Sequence, residues 1–238
     1  MIIGSGLIAT AFRKHVEQLP PDATIYAAGV SNSSCNDPRE FMRERERMLA
    51  AIADTDDNLA FAYFSTCSVE DPASKTSAYV LHKAAMEQLV RGKRARHFIF
   101  RLPQLAGFTP NPHTLLNYLF SRIARSERFQ IWNGAHRNII DVDDVVRLAS
   151  DVMRHHARGG ETINIACTHS TSIRDIVSTL EDVLECRAIF DAIDRGDSYP
   201  IDVERMRESM QRTGVSFPDA YLRATIEKYY GHRAPRDA

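Results

Sequence analysis

The chain opens with the nine residues MIIGSGLIA (residues 1–9), and this stretch decides how the fold is interpreted. Three apolar residues lead into a Gly-Ser-Gly turn, and apolar side chains then recur at helical spacing until Pro20 and Pro21 end the pattern. A strand that turns through glycines into a helix presents free backbone N–H groups and the positive end of the helix dipole. The G-x-G-x-x-A pattern of residues 4–9 therefore indicates a seat for the pyrophosphate of a dinucleotide, and an ordinary tight turn is the alternative.

Beyond this turn, short apolar strands alternate with amphipathic helices. The predicted strands are 24–28, 59–64, 97–102 and 162–166, and the predicted helices begin at Pro38, at Thr76 or Ser77, at Val142 and at Ser172. Such alternation is typical of a parallel sheet that carries helices on both faces. The sequence therefore predicts an α/β fold.

Composition narrows the class of protein. The chain has 238 residues and is 44% hydrophobic, which is enough apolar material for one sizeable core. Its formal net charge is −1, and this near-neutral charge excludes a protein that binds nucleic acid mainly through electrostatic attraction. Its four cysteines form no C-x-x-C pair, which favours reduced thiols in a cytoplasmic protein over a metal site or a disulfide framework. There is no charged-then-apolar leader and no apolar run of membrane-spanning length, so we expect neither secretion nor a membrane partner.

Two further patterns carry chemistry. Tyr79 and Lys83 are four residues apart in a predicted helix and therefore share one face, where the ammonium group would stabilise the phenolate and lower the pKa of Tyr79. An ordinary surface pair is the alternative. Ser65 and Thr66 end a predicted strand, where a hydroxyl can hydrogen-bond a substrate oxygen or form a common turn.

Taken together, these motifs resemble the extended short-chain dehydrogenase/reductase family, the NAD-dependent epimerases, dehydratases and reductases that act on nucleotide sugars. The similar segments are, in chain order, the glycine turn at 4–9, the strand ends Tyr26-Ala27-Ala28-Gly29 and Phe64-Ser65-Thr66, Tyr79-x-x-x-Lys83, Arg101-Leu102-Pro103, residues 137–145 and the strand 162–166. Residues 137–145 read RNIIDVDDV, which is similar to the family's R-D-F-I-H-V-D-D-V segment and is the most specific match.

The resemblance implies roles for particular residues. It makes Thr66, Tyr79 and Lys83 the catalytic set, with NAD or NADP carrying the hydride. The cofactor contacts that it implies are Gly4, Gly6, Leu7, Ile8, Ala27, Ala28, Gly29, Tyr79, Lys83 and Pro103. The implied contacts to a nucleotide-sugar substrate are Thr66, Gln104 and Arg137, and Arg137 would grip the diphosphate. It also implies a homodimer, formed through the helices 39–52 and 78–90.

The chain departs from the family pattern on the adenosine side. Pro20-Pro21-Asp22 leads directly from the first helix into the strand 24–28, which leaves no room for two further strand–helix units or for the acidic residue that holds the adenosine ribose. We therefore expect a Rossmann-like parallel sheet with fewer strands than usual and a partly open adenosine pocket, plus a small C-terminal substrate lobe. Arg13 and Lys14 would suit the 2′-phosphate of NADP, or they form a solvated helix face. The expected division is a cofactor domain at 1–107 and 140–168 and a substrate-binding lobe at 108–139 and 169–238.

Other departures bear on the reaction. Cys67 and Ser68 follow Thr66 where 4,6-dehydratases of the family have an Asp-Glu pair, and neither side chain replaces a carboxylate. Arg45 falls near the position of the family's active-site asparagine, which leaves the proton relay beyond Lys83 in question. A reductase must exchange its cofactor at every turnover, whereas an epimerase retains NAD, so the shortened adenosine side favours a keto-sugar reductase over an epimerase. A non-catalytic nucleotide-binding relative is the third alternative, against which the complete Thr66–Tyr79–Lys83 set argues.

Overall fold

The computed structural model describes residues 1–156, 158–196 and 198–232. The strands are β1 (Ile2–Ile3), β2 (Ala23–Tyr26), β3 (Ala60–Thr66), β4 (His97–Leu102), β5 (Gln104–Ala106), β6 (Phe129–Trp132), β7 (His136–Arg137), β8 (Ile139–Asp141), β9 (Glu161–Asn164), β10 (Thr171–Ser172) and β11 (Phe190–Ile193). The α-helices are α1 (Leu7–Lys14), α2 (Pro38–Asp54), α3 (Ala78–Lys93), α4 (Leu115–Ala124), α5 (Val142–His155), α6 (Ile173–Leu184), α7 (Arg207–Thr213) and α8 (Tyr221–Tyr230).

The chain divides into two compact units. The first contains the described residues of 1–102, 142–165 and 201–215, and the second contains those of 103–141, 166–200 and 216–238. Residues 201–215, which were predicted for the substrate-binding lobe, belong to the first unit, and residues 103–107, 140–141 and 166–168, which were predicted for the cofactor domain, belong to the second. The Ser209 hydroxyl donates to the carbonyl of Leu148 and to Asp151, and these contacts hold α7 against α5. Residues 157, 197 and 233–238, which the predicted division includes, lie outside the described residues.

A five-stranded parallel sheet forms the centre of the first unit. Its strand order is β1-β2-β3-β4-β9, and Tyr26 of β2 pairs with Tyr63 of β3, which pairs with Ile99 of β4. All seven residues of β3 are buried, as expected for an inner strand covered on both faces. The predicted α/β fold with a Rossmann-like parallel sheet is confirmed.

Helices cover both faces of this sheet. On one face, Met48 of α2 and Met86 of α3 pack against Tyr63 and its neighbours on the adjacent strands. On the other face, Phe12 of α1 packs against Phe64, with the ring centroids 5.4 Å apart. Because successive strand residues point to opposite faces, the odd-numbered and even-numbered residues of β3 serve two separate cores.

Local signals set the ends of the helices. The Asp37 side chain accepts a hydrogen bond from the N–H of Arg39, and Pro38 is the first residue of α2, which is a common arrangement at a helix start. The α1 helix has no side-chain cap at its N-terminal residue, Gly6. Its first-turn N–H groups are therefore left without a capping side chain.

Three two-stranded sheets and three helices build the second unit. β5 pairs with β8 and β6 pairs with β11, both in parallel, whereas β7 and β10 are antiparallel. Apolar side chains of α4, α6 and α8 form its core. The buried Asp141 at the end of β8 accepts hydrogen bonds from Lys228 and Tyr229, which ties α8 to this strand. In the described part of the chain, no helix is both long enough and apolar enough to cross a membrane.

Candidate active site

The structure brings Thr66, Tyr79 and Lys83 into one buried cluster. Thr66 is the last residue of β3, and the other two lie in the first two turns of α3, the next long helix along the chain. The Thr66 hydroxyl lies beside that of Tyr79 and favours its ionised form. The Lys83 Nζ lies 5.8 Å from the centre of the Tyr79 ring. Three residues that the sequence places on a strand end and a helix face therefore share one small volume at the carboxyl edge of the sheet.

Burial dominates the acid–base properties of Tyr79. Loss of solvent raises its pKa well above the usual range, the Glu44 carboxylate raises it further, and the hydrogen bond with Thr66 opposes both. In the chain by itself, these effects outweigh any lowering of the pKa of Tyr79 by Lys83. Burial is the main cause, and the Glu44 carboxylate, which is paired with Lys83, adds to it.

That carboxylate belongs to Glu44 of α2. The Lys83 Nζ donates to its Oε1 at 3.1 Å, and both side chains are almost completely buried. The family resemblance points to the neighbouring Arg45, and Glu44 was not predicted. A signal was present, because Glu44 lies one helical turn from both Phe41 and Met48 and interrupts the apolar stripe of its helix with a charge.

The glycine turn has the geometry of an anion-binding site. Gly4 has φ +123°, and a Cβ there would lie 2.3 Å from the carbonyl oxygen of Ala27, so only glycine fits. A Cβ on Gly6 would meet no atom within 4 Å, and no side chain caps the N–H groups of Leu7 and Ile8, which begin α1. Free N–H groups facing open space are what a pyrophosphate requires.

The segment after β2 runs from this turn to the cluster of Thr66, Tyr79 and Lys83. The N–H of Ala27 donates to the carbonyl of Ile3, and Ala28 follows it along the sheet edge. A Cβ on Gly29 would lie 2.6 Å from the Lys83 Nζ, so this residue is directly beside the Lys83 ammonium group. The predicted cofactor contacts Gly4 to Ile8 and Ala27 to Gly29 therefore lie along one edge of the first unit, together with Lys83.

The adenosine side of the sheet is short. β1 pairs with β2 and is the outermost strand, with no further strand beside it in the described residues. Arg13 donates to the carbonyl of Gly4, and Lys14 pairs with Asp143 at 3.3 Å, so both predicted phosphate-binding cations have partners within the chain.

The remaining predicted substrate contacts lie in the second unit. Gln104 of β5 pairs with Ile139, and its N–H donates to the carbonyl of Asn138, which brings Gln104 close to Arg137. The Arg137 guanidinium donates to the carbonyl of His136, and among the described residues it forms no ion pair with a carboxylate. Pro103 lies directly before β5 in the same unit.

Cys67 supplies no acid or base to the site. Its thiol donates to the carbonyl of Arg101 at 3.3 Å, and burial raises the pKa of the thiol well above its usual value. A buried, protonated thiol has no carboxylate chemistry to offer.

Comparison with known proteins gives a consistent picture of the fold. The model of a family described as "NAD dependent epimerase/dehydratase family" matches residues 4–166. No curated protein matches the chain. Among solved structures, the chain is similar to RMD from Pseudomonas aeruginosa complexed with NADPH, with a TM-score of 0.73 and 17% identity over 96% of each chain.

Two further structures are similar to this chain. UDP-glucuronic acid 4-epimerase from Bacillus cereus, in complex with UDP-glucuronic acid and NAD, has a TM-score of 0.71 and 18% identity over 96% of this chain and 88% of its own. dTDP-glucose 4,6-dehydratase from Bacillus anthracis, in complex with NAD, has a TM-score of 0.70 and 16% identity over 97% of this chain and 80% of its own. At these identities the likeness shows a shared fold.

Proposed function

The chain belongs to the NAD dependent epimerase/dehydratase family, and from this premise we propose that it is an NAD(P)-dependent oxidoreductase that reduces a keto group of a nucleotide-activated sugar. The choice of a reductase over an epimerase rests on the position of β1 at the edge of the sheet. A shortened adenosine side holds the cofactor less completely, which suits an enzyme that must exchange it at every turnover. The buried Thr66–Tyr79–Lys83 cluster supports catalysis over simple binding.

Each residue of the cluster has a distinct task in such a reduction. Tyr79 donates a proton to the substrate oxygen as the carbonyl becomes an alcohol, and Thr66 hydrogen-bonds to the same oxygen. The Tyr79 hydroxyl carries its proton at neutral pH, and because burial raises its pKa, release of that proton requires stabilisation of the phenolate. Lys83 supplies positive charge beside the phenolate that remains after the proton has left.

The first unit offers a seat for the cofactor. The uncapped N–H groups of Leu7 and Ile8 would hold the pyrophosphate, and Ala28 and Gly29 would line the path toward Lys83. When bound, the nicotinamide supplies the hydride. The similar structures contain NADPH or NAD, and both cofactors are compatible with this seat.

Arg137 and Gln104 support a nucleotide-sugar substrate. Arg137 has no carboxylate partner in the described part of the chain, and its planar guanidinium is suited to bind a diphosphate through two hydrogen bonds. The adjacent Gln104 adds an amide that can contact a phosphate or sugar oxygen. These residues would set affinity for the substrate rather than perform chemistry.

A homodimer is part of this proposal. Met42 of α2 and Leu81 of α3 are large apolar side chains that are 60% and 57% exposed, and the two helices contact each other. An apolar surface on two neighbouring helices fits the face that a second copy of the chain would cover.

Cofactor oxidation tests the reaction. The purified protein is mixed with NADPH or NADH and a 4-keto nucleotide sugar, and the absorbance of the reduced nicotinamide is followed. We expect the absorbance to fall with the wild type and to stay constant with Tyr79→Phe. If NAD co-purifies tightly with the protein and sugar stereoisomers are interconverted, the protein is an epimerase and not a reductase. Calorimetry that shows no heat with NAD, NADH, NADP or NADPH would support a non-catalytic relative.

A further inference from the structure

Glu44 is an almost completely enclosed carboxylate of the candidate site. It lies on α2, its side chain is 1% exposed, and its two oxygens together have four hydrogen-bond partners. Oε1 accepts from Lys83 Nζ at 3.1 Å and from the Tyr63 hydroxyl at 3.1 Å. Oε2 accepts from the Val30 N–H at 2.7 Å and contacts the His82 Nε2 at 3.0 Å. All of the strong acceptor positions of the carboxylate are therefore in use.

This arrangement prevents the carboxylate from turning. Its partners come from a loop, from β3 and from α3, and the Tyr26 hydroxyl of β2 donates to the backbone carbonyl of Glu44 as well. A side chain held from several elements presents its oxygens in one orientation. The ammonium group of Lys83, which is bound to one of those oxygens, is consequently held in one place.

Gly29 supplies independent evidence that the Glu44–Lys83 pair is built into the fold. A Cβ on this residue would lie 2.6 Å from the Lys83 Nζ and 2.8 Å from the Glu44 Oε1. At these distances, a Cβ would force the ends of the Lys83 and Glu44 side chains to move. The backbone at Gly29 therefore lies directly against the ion pair.

Building on the function proposed above, we propose that Glu44 is a positioning residue for the reduction, which acts by holding the ammonium group of Lys83 in place and in its charged form beside Tyr79. Glu44 does not touch the substrate in this scheme. It acts through Lys83, and its removal would leave a buried amine without its anion.

The charges around Lys83 explain why one carboxylate has this effect. Burial lowers the pKa of Lys83, and the charge and hydrogen bond of Glu44 oppose that shift. The other titratable groups that face Lys83 are Tyr63 from β3 and Tyr79 and Glu87 from α3. Glu87 cannot take over the role of Glu44, because its oxygens already accept hydrogen bonds from Arg101 and Arg91.

The surroundings of Glu44 keep it ionised. Burial by itself would raise the pKa of the carboxyl, but the hydrogen bonds from His82 and Val30 and the charge of Lys83 outweigh burial and lower the pKa to about 2. Arg47 of the same helix and Tyr26 of β2 are the further titratable groups nearby. The anion is thus present over the whole pH range in which an enzyme of this class would work.

Nuclear magnetic resonance of lysine carbons tests the proposal without any cofactor. The chain contains only five lysines, so ¹³Cε-labelled lysine gives few signals, and Lys83→Met assigns the one of interest. In Glu44→Gln, we expect the titration midpoint of Lys83 to fall by about one pH unit or more, a tenfold change in its acid constant. Glu46→Gln, which removes the same charge from an exposed position of α2, is the matched control and should leave the midpoint unchanged.

A second variant covers the case in which Glu44→Gln does not fold. Gly29→Ala retains both charges and forces them apart, and it should lower the midpoint of Lys83 in the same direction. Gly92→Ala is its control, because a Cβ there meets no atom within 4 Å. A Lys83 midpoint that stays at the wild-type value in the folded variants would overturn the proposal.

Kinetics then connect the ion pair to the reaction. We expect Glu44→Gln to lower kcat by about tenfold or more and to shift the pH profile of kcat, while the KM for the nucleotide sugar changes little. A changed Lys83 midpoint with an unchanged pH profile would also overturn the proposal. A wild-type protein without any turnover would instead overturn the function proposed above, and the resonance experiment would still decide whether Glu44 controls Lys83.

Discussion

The Thr66 hydroxyl lies beside the Tyr79 hydroxyl and favours its ionised form, although one residue ends a strand and the other lies in the first turn of a helix. A substrate oxygen bound between them would have to take the place of the contact between the two hydroxyl groups before it accepted a hydrogen bond from each. The Thr66 side chain is oriented by the N–H of Ser68, which donates to its oxygen at 3.2 Å. Proton donation by Tyr79 is the step that depends most directly on this geometry.

Removal of the Tyr79 hydroxyl tests that step. In Tyr79→Phe, the proton donor is lost while the ring that fills the core remains, so we expect kcat to fall on the order of 10²- to 10⁴-fold with little loss of thermal stability. Steady-state kinetics and thermal melts measure the two effects. Tyr118→Phe, which changes a tyrosine that is 39% exposed, is the control and should retain full activity. Full activity in Tyr79→Phe would contradict the assigned acid.

The buried Glu44 carboxylate predicts how stability depends on pH. Its pKa in the folded chain is about 2, below the ordinary value of 4.5, so its contribution is complete above about pH 4.5 and is lost as the pH falls toward 2. We expect roughly 3 kcal/mol of stability to disappear across this window. Urea unfolding at several pH values measures the loss. In Glu44→Gln, the free energy of unfolding should depend less on pH across this window. An identical slope in wild type and Glu44→Gln would contradict the prediction.

A second buried ion pair supports the sheet. Glu87 accepts from Arg101 through Nε at 2.8 Å and Nη2 at 2.7 Å, and its side chain is 1% exposed. Replacing Glu87 with Ala leaves a guanidinium in a mostly buried position without its main anion, so we expect a loss of about 3–5 kcal/mol in the free energy of unfolding. Arg91→Ala removes only the more exposed partner of Glu87 and should cost less than about 1 kcal/mol. Equal losses in both variants would argue against this account.

Arg137 separates substrate affinity from chemistry. Because its guanidinium has no carboxylate partner within the described chain, Arg137→Ala should leave the fold intact and raise the KM for a nucleotide sugar at least about tenfold, with kcat nearly unchanged. Initial rates over a range of substrate concentrations give both constants. Arg187→Ala removes an exposed arginine of the same unit and provides the comparison. A fall in kcat alone would assign Arg137 a different task.

Leu81 reports on the proposed dimer. A charge at this exposed apolar position would be buried and unpaired in a dimer and harmless in a monomer, so we expect Leu81→Arg to convert a dimer into a monomer. Light scattering coupled to gel filtration gives the mass. Val16→Arg, at an apolar residue that is 60% exposed and lies outside α2 and α3, should not change the mass. A monomeric wild type would refute the dimer directly.

Much of the fold follows from local patterns in the chain. The strand prediction 97–102 coincides with β4, because short apolar runs bounded by turn residues have few alternatives. Among the described residues, no strand lies beyond β1. The sequence predicts this, because Pro20-Pro21-Asp22 leads directly from the first helix into the next strand and leaves too few residues for further strands. The family resemblance likewise rests on motifs that are each contiguous in the chain.

The chain alone thus determined the α/β fold, the short sheet and the Thr66, Tyr79 and Lys83 positions, because periodicity and spacing are properties of neighbouring residues. Only the tertiary structure decided the electrostatics of that cluster. Glu44 is 39 residues from Lys83 and meets it because α2 and α3 pack side by side on one face of the sheet. Burial and the charge of a distant residue set the pKa of a side chain, and neither can be read from the residues beside it in sequence.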